Sequence, residues 1–358
     1  MSEVETKKRF RIKKRWIVLA LIAAGVYAAF LGPTFLRPVQ PVVVLPAEPA
    51  FYIGGFEVSN SMVATLIADV LLLLLAFGAW RFGRSGKLVP VGFYNAFEAI
   101  VEFLWNTVEG AAGKWAKRIF PLVATIFLLI FVANMVKLVP GFESIGYLKE
   151  THAKVGYAPV ALFSIGDKTV YTLDKGQEIK VEAHAESGEA EAETHGTEPV
   201  AADHGAKAEL CKACEVVPYL RGSATDINFP FALAIITVIM TQVYGVMALG
   251  PGYFEKFFQF RKLVSGGIFG LIDFAVGLLE MVLEFAKILS FGFRLFGNIF
   301  AGALLLSILG SLLPVVLPPG LYLFEVFFGV IQAYVFFMLA TMFISGATVS
   351  HAGGGEHH

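Results

Sequence analysis

The sequence predicts an all-α polytopic membrane protein with five to six transmembrane helices and an interfacial amphipathic helix, in which the last two helices form a long, strongly tilted hairpin. Of the 358 residues, 56% are hydrophobic and 16% are charged, whereas a soluble domain carries about 25% charged residues. The apolar residues form long uninterrupted blocks and do not alternate with polar ones as in core strands. A net charge of -1 excludes a basic nucleic-acid-binding protein, and two cysteines exclude a disulfide scaffold.

Blocks of apolar residues predict the membrane spans. About 20 such residues cross a hydrocarbon core of about 30 Å as a helix that satisfies its own backbone hydrogen bonds. The regions that fit are 16–34, 61–80, 119–139, 227–249 and 267–346. The prolines from Pro314 to Pro319 divide the last region into two arms, which gives six candidate helices.

The first region has two interpretations, because a basic segment followed by about 15 apolar residues also describes a secretory signal peptide. A retained anchor gives six spans, whereas cleavage leaves five spans and an external N-terminus. The absence of a clear small-x-small cleavage site favours the anchor.

The loop charges predict the orientation, since Lys and Arg near span ends stay in the cytoplasm. Basic clusters precede the first span and follow the second and fourth spans, whereas 35–60 contains only Arg37 as a cation and 140–222 is acidic. We therefore expect an external insert at 141–222 and, with six spans, a cytoplasmic tail at 349–358.

Two segments do not fit a span. Residues 90–118 mix apolar and charged positions at helical spacing, which is typical of a helix lying along the inner membrane interface. The insert at 141–222 is either a small polar module or a partly disordered loop. Its middle, from 182 to 209, is rich in Ala, Glu and Gly and lacks the composition for a packed core.

Charged residues in the first arm of the last region form a narrow polar stripe. At 100° per residue, one face carries Asp273, Glu280, Glu284, Lys287, Arg294 and Asn298. A charge at a helix centre costs about 2.5 to 3.5 kcal/mol on insertion scales, so the stripe faces protein or water. An internal salt-bridge ladder from Glu284 to Lys287 is one explanation. It leaves out Arg294, because no acid lies three or four residues away from it.

The two arms predict the geometry of the hairpin. Residues 267–313 span roughly 70 Å as a helix, more than twice the hydrocarbon thickness, so the arm must tilt or bend. The second arm carries Glu325 and Gln332 seven residues apart, on one face. An antiparallel arrangement brings Gln332 near Arg294 and leaves Glu325 on the outer side and Glu280 on the inner side. Two polar entries offset about a central cation suit stepwise ion transfer.

Two runs of this hairpin resemble a known family. SFGFRLFGNIFAGALLL (Ser290 to Leu306) and LFEVFFGVIQAYVFFMLATMFIS (Leu323 to Ser345) are similar to subunit a of the membrane (Fo) sector of F-type ATP synthase. The resemblance covers about 51–140 and 218–348, and the combination of RLFGN with IQA is highly specific. It implies a non-catalytic, proton-translocating stator subunit of the bacterial plasma (inner) membrane.

The resemblance also implies roles and partners. Arg294 matches the arginine that faces the c-ring carboxylates and separates two half-channels, and Asn298 and Gln332 match polar residues beside it. Glu280, Lys287 and Ser290 have counterparts on the cytoplasmic path, and Glu325 has one on the outer path. The implied partners are the c-ring, the b-type peripheral stalk subunits, the rest of the complex and membrane lipid.

One position departs from the family pattern and puts the outer path in doubt. Many bacterial members carry an acid directly after the AG of RLFGNxxAG, where this sequence has Ala303. The outer half-channel is then expected to depend on Glu325 alone. A sodium-coupled version of the same subunit stays an alternative. A self-contained secondary transporter is a weaker alternative, since no inverted repeat is visible. A structural scaffold whose intramembrane charges only pair with partners is a third one.

The remaining motifs carry little chemistry. Cys211 and Cys214 have C-x-x-C spacing, which fits a local disulfide or two free thiols better than a metal site. The nearby histidines, His184, His195 and His204, match no standard metal-site spacing. We expect no cofactor and no metal. The predicted organisation is 1–36 as N-terminus with anchor or signal, 37–140 as membrane helices, 141–222 as insert, 223–348 as ion-conducting helices, and 349–358 as tail.

Overall fold

The computed structural model describes nine stretches of the chain: 14–31, 47–84, 92–139, 141–151, 155–165, 168–180, 211–257, 267–312 and 317–349. The helices among them are α1 (Lys14–Val26), α2 (Asn60–Gly83), α3 (Phe93–Ala112), α4 (Ala116–Val136), α5 (Asn228–Leu249), α6 (Gly267–Leu312) and α7 (Leu317–Ala347). The strands are β1 (Pro49–Ile53), β2 (Phe56–Ser59), β3 (Gly146–Glu150), β4 (Val155–Ile165), β5 (Lys168–Lys180) and β6 (Cys214–Pro218).

Five helical segments of the described chain are long and apolar enough to cross a membrane. They are Asn60–Gly83, Phe93–Val136, Asn228–Phe254, Phe274–Leu312 and Leu317–Ala347. The prediction of a mostly helical, multi-pass membrane protein is therefore confirmed. The interfacial position of the segment 90–118 stays a prediction, since α3 continues through a short 3-10 turn into α4.

The N-terminal apolar region forms α1, which is continued by a π-helical turn at Tyr27–Leu31. Residues 1–13 and 32–46 lie outside the described residues, as does the proposed tail from 350 onward. The choice between a retained anchor and a cleaved signal stays open.

The chain divides into two compact units. The larger, which we call the membrane unit, comprises 44–145, 218–305 and 321–358. The smaller comprises 1–43, 146–217 and 306–320. Each unit is described below by itself.

The described part of the insert contains a β-sheet with the strand order β3-β6-β4-β5. Strands β4 and β5 form a long antiparallel hairpin. Cys211 and Cys214 form a disulfide, and the Thr151 hydroxyl donates a hydrogen bond of 2.6 Å to Glu215. A small folded module therefore describes these strands better than a disordered loop. Residues 182–209 and their three histidines lie outside the described residues.

The membrane unit has an apolar core to which α3, α4, α6 and α7 contribute. Its fully buried side chains include Leu104, Ile119, Ile130, Leu295, Phe336 and Phe337. The buried side chains of a helix lie on one of its faces. Their burial therefore determines which side of α6 and of α7 faces outward.

Helices α6 and α7 run antiparallel, as the sequence predicts. Phe291 contacts Phe336 with ring centroids 4.7 Å apart, and further along, Gly302 lies beside the Glu325 carboxylate. A later residue of α6 thus contacts an earlier residue of α7, which is the pattern of antiparallel helices. Pro318 and Pro319 lie in the first turn of α7, where a helix does not need their missing N–H groups. The strong tilt of the pair stays a prediction.

A glycine sets the distance between α5 and α6. A Cβ atom at Gly292 would lie 2.8 Å from ring atoms of Phe231, and the same Phe231 ring contacts Phe293 edge-on at 5.1 Å. Only a residue without a side chain allows this close approach.

We predict that Gly292→Ala destabilises the membrane unit, because the added methyl group must displace the Phe231 ring. The expected loss is about 1 to 3 kcal/mol, typical of overpacking. Thermal denaturation of the detergent-solubilised complex measures it. Gly110→Ala is the matched control, since a Cβ there meets open space and Ala favours a helix by up to about 1 kcal/mol over Gly. Equal melting of the two variants would contradict the prediction.

Candidate functional site

Arg294 lies at the edge of the buried face of α6. Phe291, Leu295 and Ile299 point into the core and are at most 4% exposed, whereas the Arg294 side chain is exposed. Among the described residues it has no ion pair and no hydrogen bond. That its counter-ion comes from elsewhere stays a prediction.

On the N-terminal side of Arg294, the predicted local ion pair is present. Lys287 Nζ lies 2.8 Å from Glu284 Oε1, and the same ammonium lies 4.9 Å from the centre of the Phe343 ring. The cation is thus neutralised within the chain and further stabilised by an aromatic face. Glu280 is half-buried and Ser290 is exposed on the same helix.

On the C-terminal side of Arg294, a second ion pair joins α7 to the end of α4. Lys137 Nζ lies 3.4 Å from Glu325 Oε2, and the two side chains are 6% and 8% exposed. Sequence reasoning identified Glu325 but missed Lys137. The available signal was that Lys137 is the only charged residue in the predicted span 119–139, and a cation at that depth requires a partner.

A cavity of about 190 Å³ adjoins this pair and is lined by residues of α4, α6 and α7. The lining includes Lys137, Asn298, Gly302, Glu325 and Gly329. Two predicted site residues, Asn298 and Glu325, therefore line one cavity, whose remaining wall is mostly apolar.

Small residues shape the cavity. A Cβ atom at Gly302 would lie 3.0 Å from Glu325 Oε1, and this oxygen has no hydrogen-bond partner among the described residues. On the opposite wall, a Cβ at Gly329 would lie 3.2 Å from the Asn134 side chain. The Asn134 amide donates to the Gly329 carbonyl at 3.2 Å. Glycine at position 302 makes room for the Glu325 carboxylate, and glycine at position 329 makes room for the Asn134 side chain.

Gln332 is buried at the level of the central part of α6. The contacts of Phe291 with Phe336 and of Gly302 with Glu325 bracket it from both sides. Its amide nitrogen has no hydrogen-bond partner among the described residues, which is costly for a buried donor in a dry core. By this register, Gln332 lies level with the part of α6 that contains Arg294, and the role expected for it stays a prediction.

Beyond Lys137, a charged cluster lies outside the spans. Glu143 Oε1 accepts a hydrogen bond of 2.9 Å from the Gly222 amide. Burial lowers the pKa of the neighbouring Arg221 guanidinium, and the carboxylates of Glu143, Asp226 and Glu48 oppose that shift. Because Gly222 also lies against the Lys137 side chain, polar groups continue from Glu325 towards this cluster.

Comparisons with known proteins give a consistent result. The sequence profile described as "ATP synthase A chain" matches residues 62–345. The chain is 24% identical over 319 residues to "ATP synthase subunit a" of Moorella thermoacetica, covering 89% of this chain and 100% of that protein. It is also 24% identical over 308 residues to the Helicobacter pylori protein of the same name, covering 85% and 97% of the two chains.

We predict that the Lys137–Glu325 pair is energetically coupled. Lys137→Met leaves a buried carboxylate without its partner, and breaking a buried pair costs about 3 to 5 kcal/mol. The double variant Lys137→Met/Glu325→Gln removes both charges and should cost clearly less. Thermal denaturation of the purified complex measures Lys137→Met, Glu325→Gln and the double variant.

The partly exposed Lys287–Glu284 pair provides the matched control for this double-mutant comparison. Lys287 is 24% exposed, so Lys287→Met should cost less than Lys137→Met. Strict additivity of the two single variants would show that Lys137 and Glu325 do not interact.

Proposed function

The chain belongs to the ATP synthase A chain family, and on that premise we propose that it is the stator subunit a of a rotary F-type ATP synthase. It is a multi-pass membrane protein and an ion-translocating subunit of that complex. In the proposal, two offset half-channels carry protons to and from the carboxylates of a c-ring, with Arg294 between them. The peripheral stalk subunits hold it in place in a bacterial plasma membrane, with the C-terminus in the cytoplasm.

The observation that carries the proposal is that the cations on and beside α6 differ in whether they have a carboxylate partner. Lys287 and Lys137 each have a carboxylate partner within the chain. Arg294 is exposed and has none among the described residues. A guanidinium on a membrane helix needs a counter-charge, so a carboxylate on a partner subunit supplies it in the proposal.

The spacing along α6 supports two separate paths. Lys287 precedes Arg294 by seven residues, and Gly302, which contacts Glu325, follows it by eight. At 1.5 Å per residue, the two charged pairs are roughly 22 Å apart along the helix axis, with Arg294 between them. In the proposal, Glu280, Lys287 and Ser290 belong to the inner path, Glu325 belongs to the outer path, and Asn298 and Gln332 adjoin Arg294.

Coupling follows from the permanent charge of the guanidinium. Arginine stays protonated in proteins, so it cannot relay a proton and acts as a barrier. A ring carboxylate that approaches it is favoured as the anion and releases its proton. The same carboxylate must be neutral before it can move into lipid, because burying the bare charge is too costly. Rotation is thereby tied to proton exchange.

We predict that Arg294→Ala abolishes ATP-driven proton pumping and raises the passive proton leak, because nothing then separates the two paths. Fluorescence quenching in inverted membrane vesicles measures both, with assembly of the complex verified by immunoblot. Arg84→Ala is the matched control, since Arg84 lies at the end of α2 and contacts Trp80. Normal pumping by Arg294→Ala would overturn the assignment of Arg294 as the separator.

We predict that Glu325→Gln slows ATP synthesis by at least about tenfold without raising the passive leak, because the outer path loses its proton acceptor while Arg294 remains. Glu57→Gln, which removes an exposed carboxylate of strand β2, should leave the rate unchanged. Glu325→Asp should restore part of the rate. Full synthesis by an assembled Glu325→Gln complex would remove Glu325 from the path.

A further inference from the structure

Helix α2 carries a carboxylate near the middle of a membrane span. Asp69 lies nine residues after Asn60 and 14 before Gly83, the two ends of the helix, so it is roughly 14 and 21 Å from them. Its side chain is half-buried and has no ion pair or hydrogen bond among the described residues. An ionisable side chain at this depth is costly and needs a partner.

Asp69 belongs to an exposed face of α2 with the spacing of a helix-packing seam. Met62, Leu66, Asp69, Leu73 and Ala76, which we call the α2 seam, follow one another in steps of four, three, four and three residues. This is the pattern by which one helix packs along another. Met62, Leu66 and Leu73 are 41%, 56% and 69% exposed, and Ala76 is exposed as well. The described part of the chain therefore leaves the seam uncovered.

Of the five spans in the described chain, those of α2 and α6 are the least covered. In the most apolar part of each, 11% of the residues are buried, against 39% in the span that contains α5 and 44% in the other two. Helix α2 packs on α4, and its buried residues Ala64 and Ala68 lie on a different face from the seam. In the proposed function, α6 is covered by the ring, whereas the α2 seam needs another occupant.

The carboxylate distinguishes a partner helix from lipid as that occupant. Exposed leucine and methionine side chains are equally satisfied by acyl chains, since lipid tails are as apolar as leucine. A carboxylate gains nothing from lipid, whereas a donor on a facing helix hydrogen-bonds to it. A single polar residue in an apolar seam also fixes the register of the two helices. The small side chain of Ala76 lets a second backbone approach closely beside it.

Resting on the proposed function, we propose that the α2 seam is the docking surface for a single membrane-spanning helix of a partner subunit. This helix carries a hydrogen-bond donor, from a basic or an amide side chain, at the mid-membrane depth of Asp69. The ring is not that partner, because its carboxylates would meet Asp69 with like charge. Asp69 sets the register in which the partner helix docks, and the apolar residues of the seam supply the contact area.

The first test compares the purified ATP synthase of the wild type and of Asp69→Leu by native mass spectrometry at increasing detergent concentration. Leucine is favoured over aspartate at the centre of a membrane helix, so poor insertion of the variant chain would not explain a loss. The fraction of complexes that retain one single-span subunit should fall about tenfold, with the ring still bound. Full retention of every single-span subunit would overturn the inference, as would a second copy of this chain in the complex.

Adjacent leucines provide the matched control. Leu73 and Leu74 are 69% and 61% exposed, but they point about 100° apart around the helix, which takes Leu74 out of the seam. Leu73→Ala should release the single-span subunit at a lower detergent concentration than Leu74→Ala does. Equal retention by the two variants would show that no helix docks on this face.

A labelling experiment needs no variant. A hydrophobic carbodiimide reacts with neutral carboxyl groups that face lipid, and peptide mass spectrometry reports Asp69 separately from the ring carboxylates. Asp69 should be protected in the intact wild-type complex and labelled in the full chain after detergent has removed the single-span subunits. Labelling in the intact complex would show that the α2 seam faces lipid. Protection that persists in the isolated chain would show that no partner covers Asp69, and either result would overturn the inference.

The inference and the proposed function fail in different experiments. If an assembled Arg294→Ala complex pumps normally, the proposed function is wrong, whatever docks on the α2 seam. If Arg294→Ala fails to pump while Asp69→Leu keeps every single-span subunit, the proposed function stands and only the role of the α2 seam is lost.

Discussion

The cost of placing a charge among apolar helices governs the arrangement of the membrane unit. Two cations are paired with a carboxylate of the same chain: Lys137 with Glu325, and Lys287 with Glu284. Arg294 is not paired in this way, since its side chain is exposed and has no partner among the described residues. The two pairs are therefore features of the folded chain, whereas in the proposed function Arg294 is paired only by the assembly that the chain enters.

Close helix packing makes these pairs possible. Gly302 and Gly329 leave room for the Glu325 carboxylate and for the Asn134 side chain, and Gly292 lets α5 approach α6. The cavity lined by Asn298 and Glu325 thus exists because small residues stand where larger ones would fill it.

The sequence predicted what depends on local pattern. Uninterrupted apolar blocks identify the spans, and spacing along one helix identifies both the Glu284 to Lys287 pair and the lack of a local acid for Arg294. The Lys137 to Glu325 pair joins residues 188 positions apart, so no periodicity reveals it, although an isolated lysine in a span signals that some partner exists. The sheet in the insert and the disulfide were open alternatives, because short strands and C-x-x-C spacing each fit more than one structure.

The two ion pairs within the chain and the proposed pairing of Arg294 require attractions of different strength. A pair held within the chain can be tight, because neither member has to leave: Lys287 and Glu284 meet at 2.8 Å. In the proposed mechanism, the partner of Arg294 must arrive and depart with every step of the ring, so a bond of similar tightness would act as a trap. In that mechanism, water beside the guanidinium keeps the attraction moderate, because hydration raises the local dielectric constant. An arginine fully paired within its own chain would be a more stable residue and a useless separator.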